Sequence, residues 1–300
     1  ISHADYNDFA QKTDTVWGTG AGTDGYGQTN TIGTVTGGVT ITATQWATLL
    51  ARITSAANHQ GTSITAITSP TAGDTISAYA ALATNVAAIQ GNNNAAASGS
   101  DATATTTTTS AWTATATTSK TVTFASANQL RYFFNAGGMI RMGLSRTGGT
   151  ASDQNTSWTN LLAQAGTIVL TGSGNPGFTK TIAGVTYTGT TRIGGSGTPD
   201  TLAEGIGAYN LTGTNQTLYK QFATTYTYTS NYTQIQASIS GNVITFTVTL
   251  ADVSGPNVPG GLDSIDGTLT MTTTIRQPST TYIASTWGSV TQNAASWTLT

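Results

Sequence analysis

Between Leu130 and Gly149 the spacing of apolar residues switches from a helical period to a period of two. Leu130, Phe133 and Phe134 fall on one helical face and form the densest aromatic cluster in the chain. Asn135 to Gly138 supplies a stop, because the residue past a last turn must tolerate positive φ and glycine does so without steric cost. From Met139 onward Ile140, Met142 and Leu144 point one way, Arg141 and Ser145 the other, and Gly148-Gly149 closes the strand. A helix feeding a strand in this way joins a helical first half to a β-rich second half. The expected fold class is therefore α+β. Its parts are a helical region over 1–90, a linker over 91–119, and a β-rich, antiparallel, sandwich-like domain with two short helices over 120–300.

In the first part, residues 3–17 read as an amphipathic helix with Tyr6, Phe9, Ala10, Thr13 and Trp17 on one face. The loop GTGAGTDGYG (18–27) follows. Its glycines resemble a phosphate-binding fingerprint, yet they follow a helix where that motif needs a strand, and no Walker lysine is present. Val35 to Ile41 reads as a short β segment. Trp46, Leu49, Leu50, Ile53 and Ala57 then mark a second helix, opened by a Thr42/Gln45 capping box and stopped by Gly61. His59, in its last turn, is placed to favour the helix dipole when protonated. Asp74 is expected to cap a third helix through Ile89, with Ile76, Tyr79, Ala80, Ala83 and Val86 facing inward.

The segment from Gly91 to Ser119 is dominated by Asn, Ala, Ser and Thr, and little in it apart from Trp112 can bury surface. That composition reads as an extended linker, although threonine runs are β-prone and part of it could join a sheet. Beyond it lie a strand at Thr121–Phe124 and a helix carrying Trp158, Leu161, Leu162 and Ala165 near Asp153. Ile168–Leu170 is a strand followed by the turn GSGNPG, and residues 178–187 form a hairpin broken at Ala183-Gly184. Two runs alternate cleanly. Ile244, Phe246, Val248 and Leu250 oppose threonines in one, and Leu269, Met271 and Ile275 do so in the other. One buried face and one hydroxylated face is the pattern of an antiparallel sheet. Tyr226, Tyr228 and Tyr232 share one parity while Ile235 and Ile239 take the other, which implies a bulge near Ser230.

Those threonines matter because charges are scarce. Only 7% of residues are charged, where about 25% is usual, and more than a fifth are threonine. Surfaces solvated by hydroxyls can be buried against neighbouring copies without stranding ions. Net charge is −2 with the basic residues scattered singly, which argues against nucleic acid as a partner. No cysteine is present, so disulfides and thiolate chemistry are excluded. No apolar run reaches membrane-spanning length. The start at Ile1 implies that an initiator Met, or a longer leader, has been removed.

Catalytic chemistry has little to stand on. The chain holds one glutamate, Glu204, and eleven aspartates, most of them beside Gly, Ser or Thr in turn-like contexts. Neither His3 nor His59 lies near a nucleophile-elbow sequence. The expectation is no catalytic residue, no cofactor and no metal. Asp252, Asp263 and Asp266 share one Gly/Pro-rich loop that could hold a hard cation, although its spacing is not that of an EF-hand and a plain loop is preferred. Candidate interface or ligand-contact residues are Tyr226, Tyr228, Tyr232, Trp46, Phe133 and Phe134.

Two blocks carry a family likeness. Ala4–Asn7 leading into Gly18–Gly22 and Gly25–Gln28, then Ile41–Trp46 and Asn58–Gly61, resembles the amino-terminal region of virion structural proteins of tailed bacteriophages, in particular marine and cyanobacterial phages with long tails. Arg131–Gly138, with Ser145–Gly149 and Asn155–Trp158, resembles a second block of that family. Together they touch about the first half of the chain. The resemblance implies a non-enzymatic virion component (tail, neck or fibre), assembled in the host cytoplasm and then extracellular. Its implied partners are copies of itself and other virion proteins. A receptor- or glycan-binding fibre or adhesin module, and a head decoration protein, are the alternatives.

Overall fold

The computed structural model describes residues 1–29, 32–74, 77–173, 179–255 and 263–300. Helices α1 (His3–Trp17), α2 (Ala43–Gln60) and α3 (Tyr79–Gly91) pack on one another. Ser2 with Asp5, and Thr42 with Gln45, close reciprocal capping boxes at the starts of α1 and α2. Gly61, at φ 68°, stops α2. α3 departs from expectation. It starts at Tyr79 with no side-chain cap, because Asp74 is engaged in a turn where it accepts from the amide and hydroxyl of Thr71. Leu82, Val86 and Ile89 form its buried face, and Tyr79 is half exposed. Ile76 lies outside the described residues. The β segment expected at 35–41 is a loop: Gly38 sits at φ 84°, and the amide of Val39 closes a turn on the Thr36 carbonyl.

From Ala95 the chain is mostly strand: β1 (Ala95–Ala96), β2 (Ser98–Thr108) and β3 (Thr115–Thr123), then α4 (Ala127–Asn135), β4 (Met139–Thr147) and α5 (Asp153–Ala165). β5 (Thr167–Leu170), β6 (Lys180–Ile182), β7 (Val185–Tyr187), β8 (Thr190–Ile193) and β9 (Thr201–Leu202) are short. β10 (Gln216–Phe222), β11 (Tyr232–Ser240), β12 (Val243–Ala251) and β13 (Thr268–Pro278) are long, and β14 (Thr291–Gln292) and β15 (Trp297–Leu299) end the chain. The larger sheet runs β14-β3-β12-β11-β10-β9, with β15 also on β3. A second runs β2-β13-β4-β5-β8, and a small one β1-β6-β7. Almost all neighbours are antiparallel; β1 beside β6 is parallel. The expected hairpin over 178–187 is β6–β7, with Phe178 outside the described residues.

The segment 91–119 is not a linker. β2 pairs along β13 from Ser98 to Thr108, and β3 pairs along β12 over its whole length. A threonine can sit on either side of a strand. Thr106, Ala116 and Thr118 turn inward and are buried, so small and hydroxylated side chains fill core positions that a hydropathy pattern cannot display. The inner faces meet in one continuous core. Ile140, Met142, Met271 and Ile275 come from one sheet, and Ile235, Phe246, Val248 and Leu250 from the other. α5 lies against β4 of the first and β10 and β11 of the second. Buried residues of α1–α3 belong to that same cluster.

α4 fills the middle. Phe124, Phe133 and Phe134 pack edge-on or tilted, with centroids 5.1–5.9 Å apart. Gly138 must be small, because a Cβ there would meet the Phe133 ring at 2.5 Å. At the far edge the chain's last strands cover β2. Gln292 Nε2 donates to the Ala102 carbonyl and Trp297 Nε1 to the Thr106 carbonyl, at 3.3 and 3.1 Å.

Candidate interaction surface

Strand register builds the outer faces. On the larger sheet Thr245, Thr247 and Thr249 of β12 stand between Thr121, Ser119 and Thr117 of β3 and Ser238, Gln236 and Gln234 of β11. On the second, Thr270, Thr272 and Thr274 of β13 stand beside Thr107, Thr105 and Thr103 of β2, with Ser145, Gly143 and Arg141 of β4 on the other side. The hydroxyls of Thr103 and Thr274 lie 3.0 Å apart. Both faces are polar, half-buried to exposed, and nearly free of charge. On the second sheet the β6–β7 hairpin caps one end, where Met139, Val169, Ile182 and Tyr187 form a separate apolar cluster.

The expected tyrosine row is dispersed. Tyr226 and Tyr228 lie in the loop between β10 and β11, and Tyr232 opens β11. That loop, and no bulge at Ser230, accounts for the parity change. Tyr228 is buried. Tyr226 is half exposed and holds φ 57°, a left-handed conformation that costs a side-chain-bearing residue about 1 kcal/mol. Tyr232 faces Phe222 across the strand pair, centroids 5.7 Å apart, and Lys220 Nζ stands 4.5 and 4.3 Å from the two ring centres. The cation covers faces that a sugar ring would need. Lys220 and Phe222 escape sequence reading; their one signal is the Lys-x-Phe spacing that puts both on one side of a strand. Trp46, Phe133 and Phe134 are buried in this chain's own core and are not available to a partner. Their helical spacing marked an inward face, not an open one.

A polar cluster joins the helical part to the sheets. Asn135, ending α4, donates to the carbonyls of Asp24 and Gly25 at 2.9 and 3.1 Å. Arg131 donates to the carbonyls of Asp24 and Thr19 at 2.8 and 2.6 Å. The glycine loop's carbonyls are thus held by α4, which is a packing role and not that of a phosphate cradle. Lys180 is fully enclosed and donates to the backbone carbonyls of Asn93 and Asn135. Burial pulls its ammonium down to about 7 against the attraction of Asp24. His59 is buried too, and burial lowers it to about 4, so it is the neutral ring and not a charged helix cap.

No family model, curated protein or solved structure matches the chain. The three loop aspartates separate into two settings. Asp266 accepts from Thr150, Asn155 and Arg146, and the Thr150 hydroxyl above all holds it below the usual carboxylate range. Asp252 and Asp263 flank Gln154, and burial, then the Asp263 charge, pushes Asp252 up to about 6. Among the described residues no three Asp, Glu, His or Cys side chains converge on one point.

Proposed function

We propose that this protein is a non-enzymatic structural component of a tailed-phage virion (tail, neck or fibre) that assembles with copies of itself and with other virion proteins. The observation that carries the assembly part is the pair of hydroxyl-clad sheet faces. Threonine, serine and glutamine side chains there can exchange water for a neighbour's hydrogen bonds without desolvating an ion. The virion part rests on the likeness of the amino-terminal blocks.

Two measurements test these parts separately. Sedimentation of the purified chain over a wide concentration range should show reversible or stable association, and a monomer at every concentration would overturn the assembly reading. Antibody labelling of phage particles should decorate a fixed position; particles lacking the chain would overturn the location. A receptor-contact role is favoured by one observation, the exposed and strained Tyr226 at a loop tip. Unchanged host adsorption by a Tyr226→Ala particle would remove it.

A further inference from the structure

Lys180 opens β6, which runs parallel to β1 with Thr181 opposite Ala95. That register sets the lysine beside the asparagines that follow α3, and the Thr181 amide donates to the Asn94 carbonyl at 2.8 Å. Lys180 Nζ donates to the Asn93 carbonyl at 2.9 Å and to the Asn135 carbonyl, with the Tyr26 ring centre 5.9 Å away. Asn93 Nδ2 in turn donates to Asp24 Oδ1. An amine, a carboxamide and a carboxylate therefore meet where the helical part joins the sheets.

Packing alone leaves two features unexplained. Lys180 is 5% exposed, yet the ion pairs among the described residues do not include it. A buried ammonium with no carboxylate against it is a costly way to hold two carbonyls. The second feature is a contrast between asparagines. Asn135 is held at both ends of its carboxamide, Nδ2 donating to the glycine loop and Oδ1 accepting from the Tyr209 hydroxyl at 2.8 Å. Asn93 makes one side-chain hydrogen bond among the described residues, to Asp24, and its Oδ1 meets no donor there.

We propose that Lys180 and Asn93 join in an intramolecular isopeptide bond, with Asp24 relaying the proton. The uncharged amine attacks the Asn93 carboxamide carbon, which lies three bonds from the carbonyl carbon whose oxygen it already touches. The new bond runs from Nζ to Cγ, and the bond from Cγ to Nδ2 breaks. Asp24 takes one proton from Nζ and passes it to Nδ2, which leaves as ammonia, so the carboxylate ends as it began and no oxidant or co-reactant is consumed. Burial supplies the nucleophile, because it draws Lys180 down to about 7 and brings the uncharged form within reach at neutral pH. Asp24, His59 and Tyr26 are the titratable groups facing the amine. The free amine is the precursor, and its titration belongs to the chain before reaction. The product carries no buried charge and ties the end of α3 to β6 covalently. This bond is independent of the virion reading and stands or falls without it.

The test is the intact mass of the full chain, purified at pH 6 and then held at pH 8.5. The mass should fall below that of the sequence by one ammonia, sooner at pH 8.5 than at pH 6. Trypsin should leave residues 53–120 and 147–192 joined, with Lys180 uncut. Asn93→Asp should lose water in place of ammonia and reach the same final mass. Asp24→Asn should slow the loss tenfold or more while its circular dichroism spectrum stays that of the wild type. Asn93→Ala, a change at a half-exposed position, should fold and keep its full mass. A wild-type chain still at full mass after a week at pH 8.5 overturns the proposal. So does a joined peptide in the Asn93→Ala chain, which would put the bond elsewhere, and an unchanged rate in Asp24→Asn removes the relay.

Discussion

His59 Nε2 lies 2.9 Å from the carbonyl oxygen of Ala136, tying the last turn of α2 to the C-cap of α4. The Tyr26 ring meets the imidazole edge-on with centroids 5.1 Å apart. A neutral ring donating from Nε2 satisfies that contact, and a second proton on Nδ1 would find no acceptor. The folded protein therefore binds this proton less well than the unfolded chain between pH 6.5 and about 4. Stability contributed at this site should rise as pH increases through that window, by roughly 3 kcal/mol in all. Urea denaturation of wild type and His59→Gln at several pH values isolates it, because the other titrations cancel in the difference. A difference independent of pH from 4 to 7 would contradict the buried neutral ring.

Lys180 gives the same sign in a higher window. Its folded value of about 7 lies below the ordinary 10.5, so the unfolded chain binds the extra proton between the two. Stability should climb as pH rises from about 7 towards 10, and Lys180→Met should flatten that climb. At pH 6 the methionine chain should lose little, since the charge it removes is costly to bury, while at pH 10 it should be the weaker of the two, with two carbonyls left unpaired. Denaturation midpoints of both chains at the two pH values check the crossover.

Asp266 neutralises Arg146, whose guanidinium is nearly all buried, and it also accepts from Thr150 and Asn155. Asp266→Ala should cost about 3 kcal/mol or more, because a buried cation is left uncompensated. Asp266→Asn retains some of the hydrogen bonds and should cost less. Equal losses in equilibrium unfolding would show that the charge is immaterial.

Gly138→Ala should cost about 1–3 kcal/mol through overpacking, since the added methyl collides with the Phe133 ring. Phe133→Ala should cost about 3–5 kcal/mol from the cavity it leaves. The double variant should be less destabilised than the sum of the two, because removing the ring makes room for the methyl. Strict additivity would mean the contact is not what limits residue 138.

Tyr226→Gly should stabilise the fold by a few tenths to about 1 kcal/mol, by relieving a left-handed backbone at a half-exposed position. A thermal scan suffices. A lowered midpoint would mean that the tyrosine ring makes contacts that outweigh its backbone strain.

Elements were legible in the sequence where chemistry differs sharply between faces or ends. The capping box of α2, the glycine stop at Gly61, and the alternation of β12 and β13 could be read directly. β2 and the first part of β3 could not, although the end of β3 was marked by the strand expected at Thr121–Phe124, because Thr106, Thr118 and Ala116 differ too little from their outward neighbours for any period to show. Their partners also lie more than a hundred residues away, so nothing local announces the pairing. The Phe222–Tyr232 pair under Lys220 is local, but its register depends on the loop between β10 and β11. Conversely, Trp46, Phe133 and Phe134 were visible as faces, but periodicity says which residues share a side and not what lies against it. Of the three loop aspartates, only the folded chain shows that Asp266 belongs with Arg146, while Asp252 and Asp263 belong with Gln154.

Gln292 and Trp297 acquire a meaning from what they sit upon. β2 is the border of its sheet, eleven residues long, with one acidic side chain and no proline to discourage an approaching strand. The terminal segment bolts that border shut with two side-chain amide and indole donors, while its own backbone is occupied by β3. Cutting the chain at residue 290 should uncover that border, an edge able to pair side by side with the same edge of another copy. The final ten residues are in this sense a latch against uncontrolled polymerisation.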